Sequence, residues 1–376
     1  MLEPLSGYRC PVDGTRAPAE SAPWCCPHCR GPWDLDFNAG SVRAVRSGPQ
    51  VPSLWRYAAA LPLRPAKGTT PAVSLGEGGT PIVPMIRGIS AKLDFLMPTL
   101  SFKDRGAVML AELARRLSPQ RVIADSSGNA GTAVAAYCAR AGLPCEIFVP
   151  EAVTAKKTEQ IRAHGAALKV VPGDREATAR AARTAADTPG TFYASHVFNP
   201  YFLHGTKTYL YEIWESLGGR LPQALVLPVG NGTLLLGAAL AIAELHAHRL
   251  IDTSPALIAV QSAAVAPLAH AHRLDASELL GETAAAPTLA EGIAITRPPR
   301  ARQILASVRE SGGTFLTVSE ERIAAAQLDL AARGLFVEPT AAACWAAVGP
   351  GAPDDPLDGR SAVLPLCGAG AKTGLA

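Results

Sequence analysis

Four short loops of this chain carry residue types that do chemistry together. The first is PTLSFKDRG (98–106), where Lys103 stands just before an Ala-rich amphipathic run. A helix N-terminus disfavours an ammonium group through its dipole. An amine placed there is pushed toward the neutral, nucleophilic form that a Schiff base needs. The plain alternative is a solvated lysine in a charged helix start, beside Asp104 and Arg105. The second loop, SSGNAG (126–131), follows the apolar run RVIAD and precedes TAVAAYCARAG. Gly128 and Gly131 let the backbone approach a ligand closely. Ser126, Ser127 and the amides of a helix start can hold a carboxylate, and Asn129 offers a donor to a phenolate-like oxygen. A Ser/Asn helix cap is the competing reading, yet this run of small polar residues is longer than a cap needs.

The third loop is PVGNGTLLLG (228–237). The amides of Gly230, Asn231, Gly232, Thr233 and Leu234, with the Thr233 hydroxyl, form a candidate phosphate cup. Neither a Gly-Lys-Ser/Thr ending nor the G-x-G-x-x-G spacing is present, which excludes the two common nucleotide loops. A cofactor with a single terminal phosphate suits such a cup. The fourth loop is LPLCGAGAKTG (364–374), where Cys367 ends an apolar run. A thiol can face a pyridine nitrogen as an uncharged partner, or it can be a buried structural cysteine.

Elements that position these loops are legible from periodicity. LDFLM, RVIAD, CEIFV, LKVV, ALVLPV, LIAVQ and SAVLPL read as strands buried on both faces. Helical runs fall at 105–117, 130–141, 154–164, 174–187, 207–217, 234–248 and 320–333. This alternation predicts parallel sheets covered by helices. It is too long for one sheet of ordinary width, so two doubly wound α/β lobes are expected. Ligands in such sheets sit beyond the carboxyl ends of strands, where all four loops lie.

With 48% apolar and 18% charged residues in a chain of 376, a large core is expected. The net charge of +3 comes from scattered basic residues, so no nucleic-acid partner is expected. The opening MLEPLSGYRC lacks an export signal's basic and apolar regions. The apolar stretch from Ala224 to Leu245 is broken by Pro228, Gly230, Asn231 and Gly232. It therefore reads as strand, loop and helix, not as a membrane span. A soluble, cytoplasmic protein is expected.

Seven segments in order carry a family likeness: GEGGTPIVP, PTLSFKDRG, SSGNAGTAVAAYCARAGLPCEIFVP, NPYFLHGTKTYLYEIWESLG, PVGNGTLLLG, TLAEGIAI and GLFVEPTAAA. On these the chain, over roughly residues 75–372, resembles pyridoxal-phosphate enzymes of the tryptophan-synthase-β, or type II, fold, and threonine synthases in particular. The resemblance implies a large cofactor-binding α/β domain over 41–105 and 206–376, with a small α/β domain at 106–205. It implies pyridoxal 5′-phosphate on Lys103, with Phe102 against the ring and Asn129 on its phenolic oxygen. Gly230 to Leu234 would hold the phosphate, and Cys367 would partner the pyridine nitrogen. Ser126, Ser127 and Gly128 would seat the carboxylate of a small amino-acid substrate. The implied reaction is threonine synthesis from O-phosphohomoserine and water, with Arg105, Lys156 and Lys207 as basic candidates for the leaving phosphate. A homodimer is the family's habit.

Departures from the pattern widen the choice of reaction. Leu100 stands where threonine synthases usually have Gly, Ala130 and Cys367 replace hydroxyl residues, and Ala371 replaces Leu. A cysteine at 367 is reminiscent of serine dehydratases, so β-elimination or β-replacement is the alternative, including the synthesis of a non-protein amino acid. A non-catalytic regulatory protein on the same fold is the alternative of another class. Intact Lys103 and phosphate cup argue against that last reading.

Residues 1–40 form a separate Cys-, Pro- and Gly-rich knuckle. Some relatives carry a CxxC…CxxC zinc ribbon at this end. Here the second pair, Cys26 and Cys29, is intact, whereas the first reads Cys10-Pro-Val-Asp13. Cys10, Cys26 and Cys29 with either Asp13 or Cys25 can make a tetrahedral structural zinc site; a ribbon that has lost its metal is the other reading.

Overall fold

A computed structural model of the chain describes residues 5–39, 51–66, 69–86, 88–281, 286–352 and 356–375. In chain order its strands are β1 Leu5–Arg9, β2 Arg16–Ala17, β3 Asp34–Phe37, β4 Ile82–Pro84, β5 Ile89–Lys92, β6 Arg121–Ala124, β7 Cys145–Pro150, β8 Ala167–Val171, β9 Thr191–Tyr193, β10 Ala224–Pro228, β11 Ala256–Ser262, β12 Thr314–Val318 and β13 Ala362–Pro365. The helices are α1 Asp104–Leu117, α2 Asn129–Ala141, α3 Ala155–Ala163, α4 Arg175–Ala186, α5 Tyr201–Thr206, α6 Thr208–Ser216, α7 Thr233–Ala247, α8 Pro267–Arg273, α9 Ala301–Glu310, α10 Glu320–Ala332 and α11 Pro339–Val348.

The chain divides into two compact units, each built from two segments. Unit 1 is Met1–Gly79 with Lys103–Thr208, and unit 2 is Thr80–Phe102 with Tyr209–Ala376. Residues 51–79, expected with the large domain, cluster instead with the ribbon and the small sheet. The expected start of that domain at 41 lies outside the described residues.

Unit 1 holds two sheets. One is the antiparallel ribbon β2-β1-β3, and the other is the all-parallel sheet β8-β7-β6-β9. The core joins ribbon, connector and sheet: Tyr8, Trp33, Leu54, Trp55 and Leu63 are buried in one cluster with the apolar faces of α1 and α2. Glu77 is buried there as well. It accepts hydrogen bonds from Trp55 Nε1 (2.8 Å), Ser74 Oγ (2.9 Å), the Leu75 amide (2.8 Å) and Tyr137 Oη (3.1 Å). Four donors compensate a buried carboxylate, and burial still pushes its pKa upward.

Unit 2 contains the six-stranded sheet β12-β11-β10-β13-β5-β4, parallel except where β4 runs against β5. β10 and β11 are buried along their whole length, as expected of strands covered on both faces.

The structure corrects one expected strand. LDFLM is not a strand: Asp94–Leu96 is a 3-10 turn, and the strand precedes it at Ile89–Lys92. Asp94 is buried and accepts from Thr80 Oγ1 at 2.6 Å, which bends the chain out of extended form. The true strand was hidden by polar residues, because buried Lys92 donates to the Thr80 carbonyl (2.8 Å) and pairs with Glu212 (2.7 Å). β1 to β4, β9, β12, α5, α8, α9 and α11 also lay outside the predicted runs. Among the described residues no helix is long and apolar enough to cross a membrane, and 224–245 forms β10, a loop and most of α7.

Candidate active site

In unit 2 the phosphate-cup residues close β10 and open α7. Gly232 caps α7 with φ +71°, in the left-handed region that glycine takes without strain. A Cβ on it would lie 2.4 Å from Ile304. Gly230 packs its bare Cα on the AEGIAI segment, where a Cβ would meet Ile293 Cα and Ile295 Cγ1 at 2.9 Å. That segment is tied in turn to VEPT by a hydrogen bond from the Gly292 amide to Thr340 Oγ1 (3.1 Å). Gly230, Asn231 and Gly232 lead directly into α7, so this loop lies at a helix N-terminus, where backbone amides point toward an anion.

The end of β13 organises the residues before Lys103. The Phe102 amide donates to the Cys367 carbonyl (3.0 Å), and the Ala369 amide donates to the Leu100 carbonyl (3.0 Å). Ser101 and Gly368 form an isolated antiparallel bridge between them. Leu100 adopts φ +62°, which explains why glycine suits this position and leaves the leucine strained by about 1–2 kcal/mol. Cys367 is buried, with its thiol directed at Glu338 Oε1 (3.9 Å). Glu338 went unnoticed as an individual residue because VEPT stood out only as a segment. Among the described residues Ser101 Oγ is buried without a hydrogen-bond partner.

In unit 1 Lys103 caps α1, its carbonyl accepting from the amides of Gly106 (3.1 Å) and Ala107 (2.9 Å). Its Nζ lies 5.7 Å from the centre of the Phe202 ring, within cation–π range. Phe202 packs flat on α1 at Gly106, where a Cβ would fall 2.4 Å from the ring. Gly205 brings α5 equally close, since a Cβ there would lie 2.0 Å from the Arg105 carbonyl. The other face of Phe202's surroundings is His196, its ring 5.9 Å away in a T-shaped contact. Burial first, then the charges of Lys103 and Arg175, hold His196 well below the usual imidazole range, so it is neutral. Neither residue was singled out from sequence: both fall between the helical runs predicted at 174–187 and 207–217, and Phe202 stood out only as part of the segment NPYFLHG.

Ser126, Ser127 and Gly128 form the turn between β6 and α2, with Ser126 Oγ accepting from the Gly128 amide (3.3 Å). Gly131 makes that turn possible, since a Cβ would lie 1.7 Å from the Ser126 carbonyl. Gly128 opens onto space, and Asn129 begins α2. Behind the turn, Tyr193 Oη donates to Asp125 (2.9 Å).

Arg105 and Lys207 are not the helix-surface charges that their sequence context allowed. Both are fully buried: Arg105 donates to Thr208 Oγ1 (3.0 Å), and Lys207 Nζ meets His204 Nδ1 (3.0 Å). Lys156 is exposed on α3.

Taken unit by unit, the residues have chemistry that suits pyridoxal phosphate: unit 1 offers an amine at a helix mouth, and unit 2 a glycine-lined loop at a helix N-terminus and a buried thiol. Comparison with known proteins agrees. Residues 73–368 match the family model described as pyridoxal-phosphate dependent enzyme. A threonine synthase from Methanosarcina acetivorans is 31% identical over 89% of this chain and 84% of its own length. One from Mycobacterium leprae is 36% identical over 72% of this chain and 75% of its own. Among solved structures, maize serine racemase superposes with a TM-score of 0.67 at 18% identity, over 88% of this chain and 94% of its own. A threonine deaminase from T.th. gives a TM-score of 0.60 at 28% identity, over 74% of this chain and 87% of its own. With the family model spanning most of the sequence and curated relatives aligned along most of theirs, the chain belongs to the pyridoxal-phosphate-dependent enzymes of the type II α/β fold, as a lyase of the threonine-synthase kind.

Proposed function

We propose that this enzyme converts O-phosphohomoserine and water into threonine and phosphate, as a cytoplasmic homodimer acting on a small amino acid. The observation that carries the reading is the alignment with the Methanosarcina threonine synthase over 84% of that protein's length. Pyridoxal phosphate, when bound, supplies the electron sink that stabilises negative charge on the substrate carbons. Lys103 would hold the cofactor, and its amine is the group that moves protons at the substrate Cα and Cβ. The Phe202 ring, its centre 5.7 Å from Nζ, walls one side of that amine. Neutral His196 adds no competing positive charge. Ser126, Ser127 and Gly128 seat the substrate carboxylate, Asn129 meets the phenolic oxygen, and Phe102 lies against the ring. The amides of Gly230 to Leu234 grip the cofactor phosphate. Cys367 stands as the uncharged partner of the ring nitrogen, which restrains carbanion build-up.

Incubating the purified enzyme with O-phosphohomoserine and, separately, with serine tests this. Threonine and phosphate are expected from the first, and no keto acid from the second. Lys103→Ala is expected to lower the rate at least about 10²-fold, and reductive trapping is expected to label Lys103 in the native enzyme. Keto acid from serine without phosphate release from O-phosphohomoserine would replace this reading with β-elimination, which Cys367 and the 28% identical threonine deaminase favour.

A further inference from the structure

The ribbon's two cysteine turns share one backbone pattern, although only one of them is a complete Cys-x-x-Cys. In the first, the Cys10 amide donates to the Thr15 carbonyl (2.7 Å) and the Gly14 amide to the Cys10 carbonyl (3.1 Å). In the second, the Cys26 amide donates to the Gly31 carbonyl (3.0 Å) and the Arg30 amide to the Cys26 carbonyl (3.0 Å). The correspondence extends to the side chains. The Gly31 amide donates to Cys29 Sγ (3.3 Å), and the Thr15 amide donates to Asp13 Oδ1 (2.9 Å). The Asp13 carboxylate therefore takes the place in its turn that a thiol takes in the other.

Ligand atoms of Cys10, Asp13, Cys26 and Cys29 all lie within 4.8 Å of one another. Cys10 Sγ and Cys29 Sγ are 3.5 Å apart, and Cys26 Sγ and Asp13 Oδ2 are 3.5 Å apart. Tetrahedral zinc with bonds of about 2.3 Å to sulfur and about 2.0–2.2 Å to oxygen sets its ligands about 3.5–3.8 Å apart. Little closure is needed. Cys25 belongs elsewhere, in an apolar cluster with Ile123, Phe148, Tyr193 and Phe198.

The same ribbon rests on one wall of the catalytic lysine. Tyr8 meets Tyr201 with ring centres 6.3 Å apart, and Trp24 meets Tyr193 and Phe198 at 5.5 Å. Trp24 Nε1 donates to Asp187 (2.9 Å), and Arg30, inside the second turn's hydrogen bonds, pairs with it (2.9 Å). Phe37 stacks edge-on against His204 at 5.2 Å, with Lys207 Nζ 5.0 Å from the Phe37 ring. Apart from the two on Asp187 at the end of α4, these contacts fall on the segment through β9 and α5 that carries Phe202 to Lys103.

We propose that Cys10, Asp13, Cys26 and Cys29 bind one thiophilic divalent cation, zinc by its ligand chemistry, and that this ion clamps the ribbon onto α5. Three thiolates and one carboxylate give a tetrahedral site with no open position, so the ion is structural. Elemental analysis of the purified full-length holoenzyme is expected to give one zinc per chain. Cobalt substitution is expected to give thiolate-to-cobalt absorption. In chelator competition, Asp13→Asn is expected to weaken metal binding at least about tenfold. Asp13→Cys, which restores a fourth thiolate, is expected to tighten it, and Cys25→Ser to leave it unchanged. Hydrogen exchange of the amides at 201–207 is expected to quicken once the ion is stripped. A wild-type chain that takes up neither zinc nor cobalt, or a Cys10–Cys29 disulfide in its place, would overturn the site. Metal loss in Cys25→Ser with retention in Asp13→Asn would overturn the ligand set, and unchanged exchange at 201–207 would overturn the clamp.

Discussion

At the scale of residues, the site depends on groups whose ionisation is set by their surroundings. His196 shows the consequence most directly. Burial and the positive charges of Lys103 and Arg175 hold its pKa well below the usual imidazole value. Below about pH 6.5, the unfolded chain takes up a proton that the folded chain refuses. Stability is therefore at full strength above that value and falls on acidification, until the depressed folded value is reached. The slope from this one group approaches about 1.4 kcal/mol per pH unit. Urea denaturation of His196→Gln between pH 5 and 7, compared with the parent, is expected to lose that part of the acid sensitivity. An unchanged slope would mean that the imidazole is charged in the folded protein. Leu100 shows a different residue-scale effect, a strained φ of +62° held by its Ala369 hydrogen bond next to the lysine loop.

At the scale of elements, strands and helices deliver these groups by hydrogen bonding and close approach. β5 is held by a charge pair inside unit 2, Lys92 and Glu212 at 2.7 Å, with side chains 0% and 4% exposed. Removing one partner leaves an uncompensated buried charge. Lys92→Met is therefore expected to destabilise the protein by about 3–5 kcal/mol in chemical denaturation. Lys92→Met combined with Glu212→Leu is expected to recover most of the loss. A single substitution without effect would show that the pair is solvated. In unit 1, α1 and α5 meet where Gly106 and Gly205 leave no room for a Cβ, so the Phe202 wall is fixed by backbone contact.

At the scale of the whole molecule, each unit is discontinuous in sequence, divided at 79/80, 102/103 and 208/209. The core of unit 1 draws Tyr8, Trp33, Leu54, Trp55 and Leu63 from the first segment and the α1 and α2 faces from the second. Residues 103–208 expressed alone are therefore expected to expose that apolar surface and lack a cooperative unfolding transition. A well-dispersed NMR spectrum from that fragment would contradict this.

What the sequence determined by itself was local. Glycines, small polar residues and apolar periodicity announced the loops at 98–106, 126–131, 228–237 and 364–374, and the β6–α2 and β10–α7 units formed where those patterns lay. Turn geometry and strand burial are written in adjacent residues, so they can be read there. Tertiary structure decided what depended on residues far apart in the chain. It replaced the LDFLM strand with β5, because Lys92 finds Glu212 120 positions later. It buried Arg105 and Lys207, set Phe202 and His196 beside Lys103, and chose Asp13 over Cys25 for the cysteine cluster. A side chain's partner across such separations is fixed by packing, and no spacing within a short segment encodes it.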